Sequence, residues 1–276
     1  MKSVIIASPS GSKSVRFGEG DRFPVIAGPC VVESEELLFT VAEKLVAISA
    51  KLPIDFVFKA SYRKANRTSA TSFTGIGDEK ALSFLAKVKK TFDLPVLTDI
   101  HSVDDAAMAA EVADILQIPA FLSRQSELLE AAAKTGRTIN IKKAQFMSAE
   151  DMKFAKEKVN AAGNDNVLLT ERGTSFGYGD LVVDFRSLET MKSFGAPVIY
   201  DATHSVQKPS QNGISGGDRK FIAPLARAAI ALGIDGLFIE THPDPAKAKS
   251  DAASQLPLTE LEALLDHLIR IREAAN

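Results

Sequence analysis

The chain has 276 residues, one cysteine and a formal net charge of −2 at pH 7. The lone cysteine excludes an internal disulfide and fits a reducing compartment, and the near balance of charge leaves no global field to draw nucleic acid or an anionic membrane. A hydrophobic content of 45% can fill a large core. No run approaches the roughly 18 apolar residues of a membrane span and the N-terminal apolar stretch is too short for a signal peptide, so the expected location is the cytoplasm.

Two β-prone segments, 3–8 and 13–17, flank Pro9-Ser10-Gly11-Ser12 and predict a hairpin within residues 1–18. Eight short β-branched runs follow, at 24–30, 55–61, 95–101, 115–120, 138–143, 167–171, 197–203 and 236–242. They are nearly continuous apolar runs, as expected of parallel strands covered on both faces. Amphipathic segments lie between them, at 35–49, 80–91, 127–134, 149–160, 188–194 and 219–232, with a last one at 258–274. Eight strand–helix units predict an α/β chain closed into a (β/α)8 TIM barrel, one domain over 1–276, with the hairpin plugging its N-terminal end. An open doubly wound sheet is the alternative. The breaker-rich stretch 204–217 predicts one long loop of the functional kind, and 243–256 a second loop at the same end.

In barrel enzymes the site lies at the C-terminal ends of the strands. Here those ends carry Cys30, Lys59, Ser61, Asp99, His101, Gln117, Lys142, Lys143, Glu171, Arg172, Asp201, His204, Glu240 and His242. Burying such groups unpaired is costly, so packing alone explains them poorly. Lys59, Lys64, Lys142 and Arg172 form a basic subset suited to a phosphate and a carboxylate; any one of them alone would read as a solvated surface cation. Cys30, His204 and Glu240 come from the first, seventh and eighth units and meet only if the barrel closes. Thiolate, imidazole and carboxylate suit zinc or ferrous iron, with manganese an option where carboxylates dominate; a lone cysteine also packs as a small hydrophobe. There is no dinucleotide fingerprint around Gly75-Ile76-Gly77, no GxxxxGK[ST], no helix-borne HExxH and no nucleophile elbow.

The motifs AGPC at 27–30, KANRTS at 64–69, TDIH at 98–101, QIPAFL at 117–122, KKAQF at 142–146, TERG at 170–173, DATHS at 201–205 and ETHP at 240–243 together resemble the 3-deoxy-D-manno-octulosonate 8-phosphate synthase family. The resemblance runs from about residue 23 to 272. It implies a (β/α)8 barrel, usually a homotetramer, that condenses phosphoenolpyruvate with D-arabinose 5-phosphate and water for lipopolysaccharide synthesis. It implies that Lys59, Lys64, Lys142 and Arg172 hold phosphoenolpyruvate with Gln117 and the backbone at Ala120, and that Asn66, Arg67 and Thr68 hold the pentose phosphate. Members of the metal-independent branch resemble this chain but carry Asn at the Cys30 position. Cys30 therefore implies the metal-dependent branch, with one divalent ion held by Cys30, His204, Glu240 and Asp251.

Lys64 and Asn66 join Asp99, His101 and Glu171 as residues expected near the reacting atoms. The last three are candidates for proton transfer at strand ends, or else partners that orient a lysine or a ligand. The metal would polarise the aldehyde or hold the water; the sequence leaves both open. The nearest rival, 3-deoxy-D-arabino-heptulosonate 7-phosphate synthase, takes erythrose 4-phosphate and has KPRTS where this chain has KANRTS. Asn66 can hydrogen-bond a sugar hydroxyl and Pro cannot, which fits the longer sugar. A Schiff-base aldolase using Lys59 or Lys142, and a barrel that binds sugar phosphates without catalysis, complete the alternatives.

Overall fold

The computed structural model describes residues 2–66, 71–175, 181–211 and 214–275. The chain opens with the hairpin β1 (Val4–Ala7) and β2 (Ser14–Phe17). It continues through β3 (Phe23–Gly28), α1 (Glu35–Ser49), β4 (Ile54–Lys59), α2 (Asp78–Phe92), β5 (Val96–Asp99), α3 (Val103–Ala110), β6 (Ile115–Ile118), α4 (Ser126–Lys134) and β7 (Thr138–Lys142). Then come α5 (Met152–Ala161), β8 (Val167–Glu171), α6 (Arg186–Lys192), β9 (Val198–Asp201), β10 (Gln207–Gln211), β11 (Ile214–Gly217), α7 (Ile222–Ala231), β12 (Gly236–His242), β13 (Leu256–Pro257) and α8 (Leu258–Ala275).

Strands β3 to β9 pair in sequence order, all parallel, and β12 pairs with both β9 and β3. The sheet is therefore a closed eight-stranded barrel, and the open-sheet alternative is excluded. Seven of the eight helices coincide with the amphipathic segments read from the sequence. The eighth, α3, has the sequence VDDAAMAA, too short and too alanine-rich to show a strong apolar stripe. A capping box starts it: Ser102 accepts from the Asp105 amide while the Asp105 side chain accepts from that of Ser102. The expected long loop at 204–217 is a correction. It is a short helical turn, His204–Val206, followed by the antiparallel pair β10–β11, whose tip lies outside the described residues. Gly216 and Gly217 there read as loop breakers, yet strand pairing accommodates them.

Side chains alternate across each barrel strand. One set packs outward on the helices, in a cluster that includes Phe56, Phe58, Leu116, Ile139, Ile141 and Leu169. The other set points inward. Its lower layer is apolar: Ile26, Val57, Leu97, Ile115, Leu168, Ile199 and Phe238 pack with Val4, Ile6, Val15 and Phe17 of the hairpin. The hairpin thus closes the N-terminal end, as expected. Its turn is tied there by Ser10, whose amide and hydroxyl donate to Asp93 at 2.7 and 2.8 Å. Gly236 makes room for the plug, because a Cβ at that position would sit 3.1 Å from the Phe17 ring and 2.7 Å from Ile199.

Phe17 is fully buried and lies far from the barrel mouth. Phe17→Ala is expected to lower stability by about 3–5 kcal/mol, the range for a buried aromatic truncation, while turnover per folded molecule stays at the wild-type level. Urea denaturation alongside initial rates checks both halves.

Candidate active site

Two residues beyond the apolar layer, the inward positions become polar. Val57 is followed by Lys59, Leu97 by Asp99, Ile115 by Gln117, Leu168 by Thr170, Ile199 by Asp201 and Phe238 by Glu240. On β3 the corresponding residue is Gly28, where a Cβ would lie 2.0 Å from the Lys59 carbonyl oxygen. The backbones of β3 and β4 approach so closely that only glycine fits, and the next inward residue is Cys30.

The charges in this layer are paired. Lys59 is bound to Glu240 and also donates to the Cys30 carbonyl at 2.8 Å. Lys142 is bound to Asp201 and rests 3.2 Å above the Phe238 ring. Lys64 lies 3.6 Å from Asp99. Burial by itself would raise the pKa values of Asp99, Asp201 and Glu240, but the neighbouring cations outweigh it and hold all three below the usual carboxylate range. Burial pulls Lys142 down to about 8 despite Asp201 beside it. Arg172 differs from the lysines. Its Nη2 donates to Gln207 at 2.9 Å, and its buried Nη1 has no hydrogen-bond partner among the described residues.

Asp99 also accepts from Ser61 and from the Gln117 amide. Gln117 in turn accepts from Asn140 at 2.8 Å, and Asn140 accepts from the Thr170 hydroxyl at 2.6 Å. Asn140 and Thr170 escaped the reading of strand ends because each stands one or two residues before the charged end of its strand, Asn140 between Ile139 and Ile141 and Thr170 just before Glu171. The inward alternation through Asn140 and Lys142 is the signal that could have found them. His101 sits beside this chain with its Nδ1 3.6 Å from Asp105, and burial lowers its pKa.

A second cluster faces the seam between β12 and β3. Ligand atoms of Cys30, Glu240 and Asp251 lie within 4.8 Å of one another. His204 Nε2 reaches the same place, 3.6 Å from Glu240 and 4.0 Å from Asp251. Its Nδ1 is held by Asp201 at 2.7 Å, leaving Nε2 directed at the cluster. Asp251 stands on a left-handed backbone with φ of 49°, a conformation Asp tolerates better than most residues. Its loop is latched by Gln255, which accepts from the Cys30 amide at 3.3 Å and donates to Ser250 at 2.8 Å. The buried Glu240 Oε2 has no hydrogen-bond partner among the described residues. Mixed sulfur, nitrogen and oxygen donors, one imidazole already oriented and one buried carboxylate oxygen unsatisfied, fit a divalent cation.

Not every strand-end residue joins these clusters. Glu171 follows Leu169 on the helix-facing side and pairs with Lys143 at 3.5 Å, behind the wall that carries Arg172. The sequence reading placed Glu171 near the reacting atoms, and strand alternation turns it away. His242 accepts from the Asp244 amide and lies 3.9 Å from Glu33. Asn66 is exposed, and Ala120 opens a short helical turn beyond β6. Arg67 and Thr68 lie outside the described residues.

A family model described as the DAHP synthetase I family matches residues 4–275. The chain belongs to that family. Among its relatives, a protein of Desulfotalea psychrophila is 52% identical over 274 residues, covering 99% of this chain and 98% of that protein. One of Trichlorobacter lovleyi is 53% identical over 256 residues, covering 92% and 94%, and one of a Synechococcus species is 53% identical over 276 residues, covering 99% and 96%. All three are named 2-dehydro-3-deoxyphosphooctonate aldolase. The family resemblance read from the motifs therefore holds over nearly the full chain.

The depressed pKa of Asp99 has a consequence for stability. A carboxylate whose folded value lies below its unfolded value of about 3.9 contributes stability that is complete above that pH and lost as pH falls toward the folded value. Asp99→Asn removes this contribution. The stability gap between wild type and variant is expected to be flat above about pH 5 and to narrow below about pH 4, as followed by urea denaturation across a pH series. A gap that persisted unchanged into acid would contradict the pairing.

Proposed function

We propose that the protein condenses phosphoenolpyruvate with D-arabinose 5-phosphate and water, yielding 3-deoxy-D-manno-octulosonate 8-phosphate and inorganic phosphate for lipopolysaccharide precursor synthesis. The observation that carries this reading is the buried Nη1 of Arg172, without a hydrogen-bond partner among the described residues, beside three paired lysines at the barrel mouth, in a chain whose three relatives above share one name. A guanidinium with a free donor among carboxylate-paired lysines suits a small, highly charged anion.

In the reaction C3 of phosphoenolpyruvate bonds to the aldehyde carbon of the pentose, water adds at C2, and phosphate leaves. Arg172, Lys142, Lys59 and Lys64 bind and orient phosphoenolpyruvate, helped by Gln117 and the backbone at Ala120. Their positive charge is in place before the electron shift begins, so little reorganisation is needed. Asn66, Arg67 and Thr68 hold the pentose phosphate. Asp99 and His101 flank Lys64 and hold or move a proton at that end of the site. Cys30, His204, Glu240 and Asp251 would hold one divalent ion, zinc, ferrous iron or manganese. When bound it supplies Lewis acidity for the aldehyde oxygen or the attacking water. The enzyme works as a cytoplasmic homotetramer on this reading, with both substrates small soluble anions.

The test is phosphate release from phosphoenolpyruvate with either sugar phosphate. Turnover is expected with arabinose 5-phosphate and little with erythrose 4-phosphate; equal rates would overturn the assignment. In the same assay Arg172→Ala is expected to raise KM for phosphoenolpyruvate by tenfold or more, on the order of 1.4 kcal/mol or above.

The metal reading has its own check. Dialysis against a chelator is expected to strip about one divalent ion per chain, lower Tm and abolish activity, all reversed on adding the ion back. Cys30→Asn is expected to carry little metal by elemental analysis. A fully active wild type free of metal would return Cys30 to a packing role.

A further inference from the structure

Lys142 and Arg172 face into the barrel, and their chain neighbours Lys143 and Glu171 face the other way. Those two neighbours are about as buried as any charged groups in the protein, each at 1% relative exposure. They meet at 3.5 Å on the helix side of β7 and β8. A buried ion pair is weak evidence of stabilisation, because desolvation offsets the attraction. What this pair holds is more informative than the pair itself.

Lys143 Nζ lies 3.2–3.4 Å from four further oxygens: the carbonyls of Ala144 and Met147 in the loop after β7, and the Gly173 carbonyl and Thr174 hydroxyl in the loop after β8. Glu171 Oε1 accepts from the Gly173 amide at 2.6 Å. Gly173 turns there with φ of 89°, and a Cβ at that position would press on Leu181 at 3.1 Å. The two loops are also joined directly, by the Ser175 amide donating to the Gln145 carbonyl at 3.0 Å. The backbone on both sides of Arg172 is thus clamped from behind. Among the described residues the guanidinium itself has a single side-chain bond, to Gln207.

We propose that Lys143 and Glu171 are positioning residues for phosphoenolpyruvate: a buried clamp on the outer face of the barrel wall that fixes where Arg172 and Lys142 present their charges. Neither residue touches substrate. The proposal rests on the reading that Arg172 and Lys142 bind phosphoenolpyruvate, and it gives Glu171 a role other than proton transfer.

The test uses the full-length, metal-loaded enzyme and four variants: Lys143→Met, Glu171→Gln, the double Lys143→Met/Glu171→Met, and Arg172→Ala as reference. Measured for each are Tm, kcat, and KM for phosphoenolpyruvate and arabinose 5-phosphate separately. Lys143→Met is expected to raise KM for phosphoenolpyruvate about tenfold and leave that for arabinose 5-phosphate within about twofold. Glu171→Gln keeps the volume and the acceptor for Gly173, and is expected to give a smaller rise of the same kind. The double variant replaces both charges with apolar groups and is expected to regain Tm relative to the single lysine variant while KM for phosphoenolpyruvate stays high. That separation of stability from KM is what a merely structural pair would not produce. A double variant with wild-type KM overturns the proposal, as does an equal rise in both KM values. Should Lys143→Met not fold, the double variant and Glu171→Gln decide by the same readings, and an unchanged KM in whichever folds overturns it. If Arg172→Ala leaves KM for phosphoenolpyruvate unchanged, the underlying reading fails. If Arg172→Ala raises it and the clamp variants do not, the clamp alone fails.

Discussion

Three carboxylates keep the barrel mouth charged. Lys59, Lys64 and Lys142 are each less than a tenth exposed, and an ammonium so placed would lose its proton without an anion nearby. Glu240, Asp99 and Asp201 supply one each. Each lysine has its carboxylate in contact; Arg172, among the described residues, has none, and its guanidinium cannot deprotonate in water at any ordinary pH. Among the described residues the layer is thus a set of lysine–carboxylate pairs beside a guanidinium that has no salt bridge and feels Asp201, Glu171 and Asp251 only at longer range. Such a site suits a dianionic or trianionic ligand.

Asp201 couples the two clusters. One of its oxygens is shared by Lys142 and His204 Nδ1, and the other accepts the amides of Thr203 and His204. It thereby orients the imidazole toward Cys30, Glu240 and Asp251 while neutralising a cation of the anion site. Glu240 does the same from the other side, bound to Lys59 and facing His204. A change of charge in either cluster is felt by the other through these two acids, in an interior where charges are poorly screened.

Much of this was legible in the sequence, for a simple reason. Parallel barrel strands are apolar on both faces, so the polar or ionisable residues that end each run mark the strand's end and, with it, the mouth. That logic located Lys59, Asp99, Gln117, Lys142, Arg172, Asp201, His204 and Glu240. It failed where one residue of phase matters. Adjacent strand residues point to opposite faces, so Arg172 facing inward requires Glu171 to face outward, and strand ends alone do not carry that phase. The helix α3 was missed because four of its eight residues are alanine and its face is shallow. The pairing of β10 with β11 was hidden under the Pro, Ser, Asn and Gly composition of a loop. Asp251 came only from family resemblance, since a residue on a left-handed turn between elements has no periodicity to betray it.

The metal-type cluster sits on the seam where the barrel closes, and this ties its assembly to the pairing of β12 with β3. Cys30 follows β3, near one end of the chain, and Glu240 and Asp251 belong to β12 and the loop after it, near the other. They meet only when β12 pairs with β3, in the register that sets Glu240 opposite Gly28. The close approach at Gly28, the Lys59 bond to the Cys30 carbonyl and the Gln255 latch to the Cys30 amide all act at this one junction. Closing it brings the most distant parts of the chain together, with the largest loop entropy to overcome. A ligand that binds across the seam favours the closed barrel over any open form by mass action. The residues of this cluster therefore sit on the strand pairing that closes the barrel, so the chemistry at the mouth and the closure of the fold share one junction.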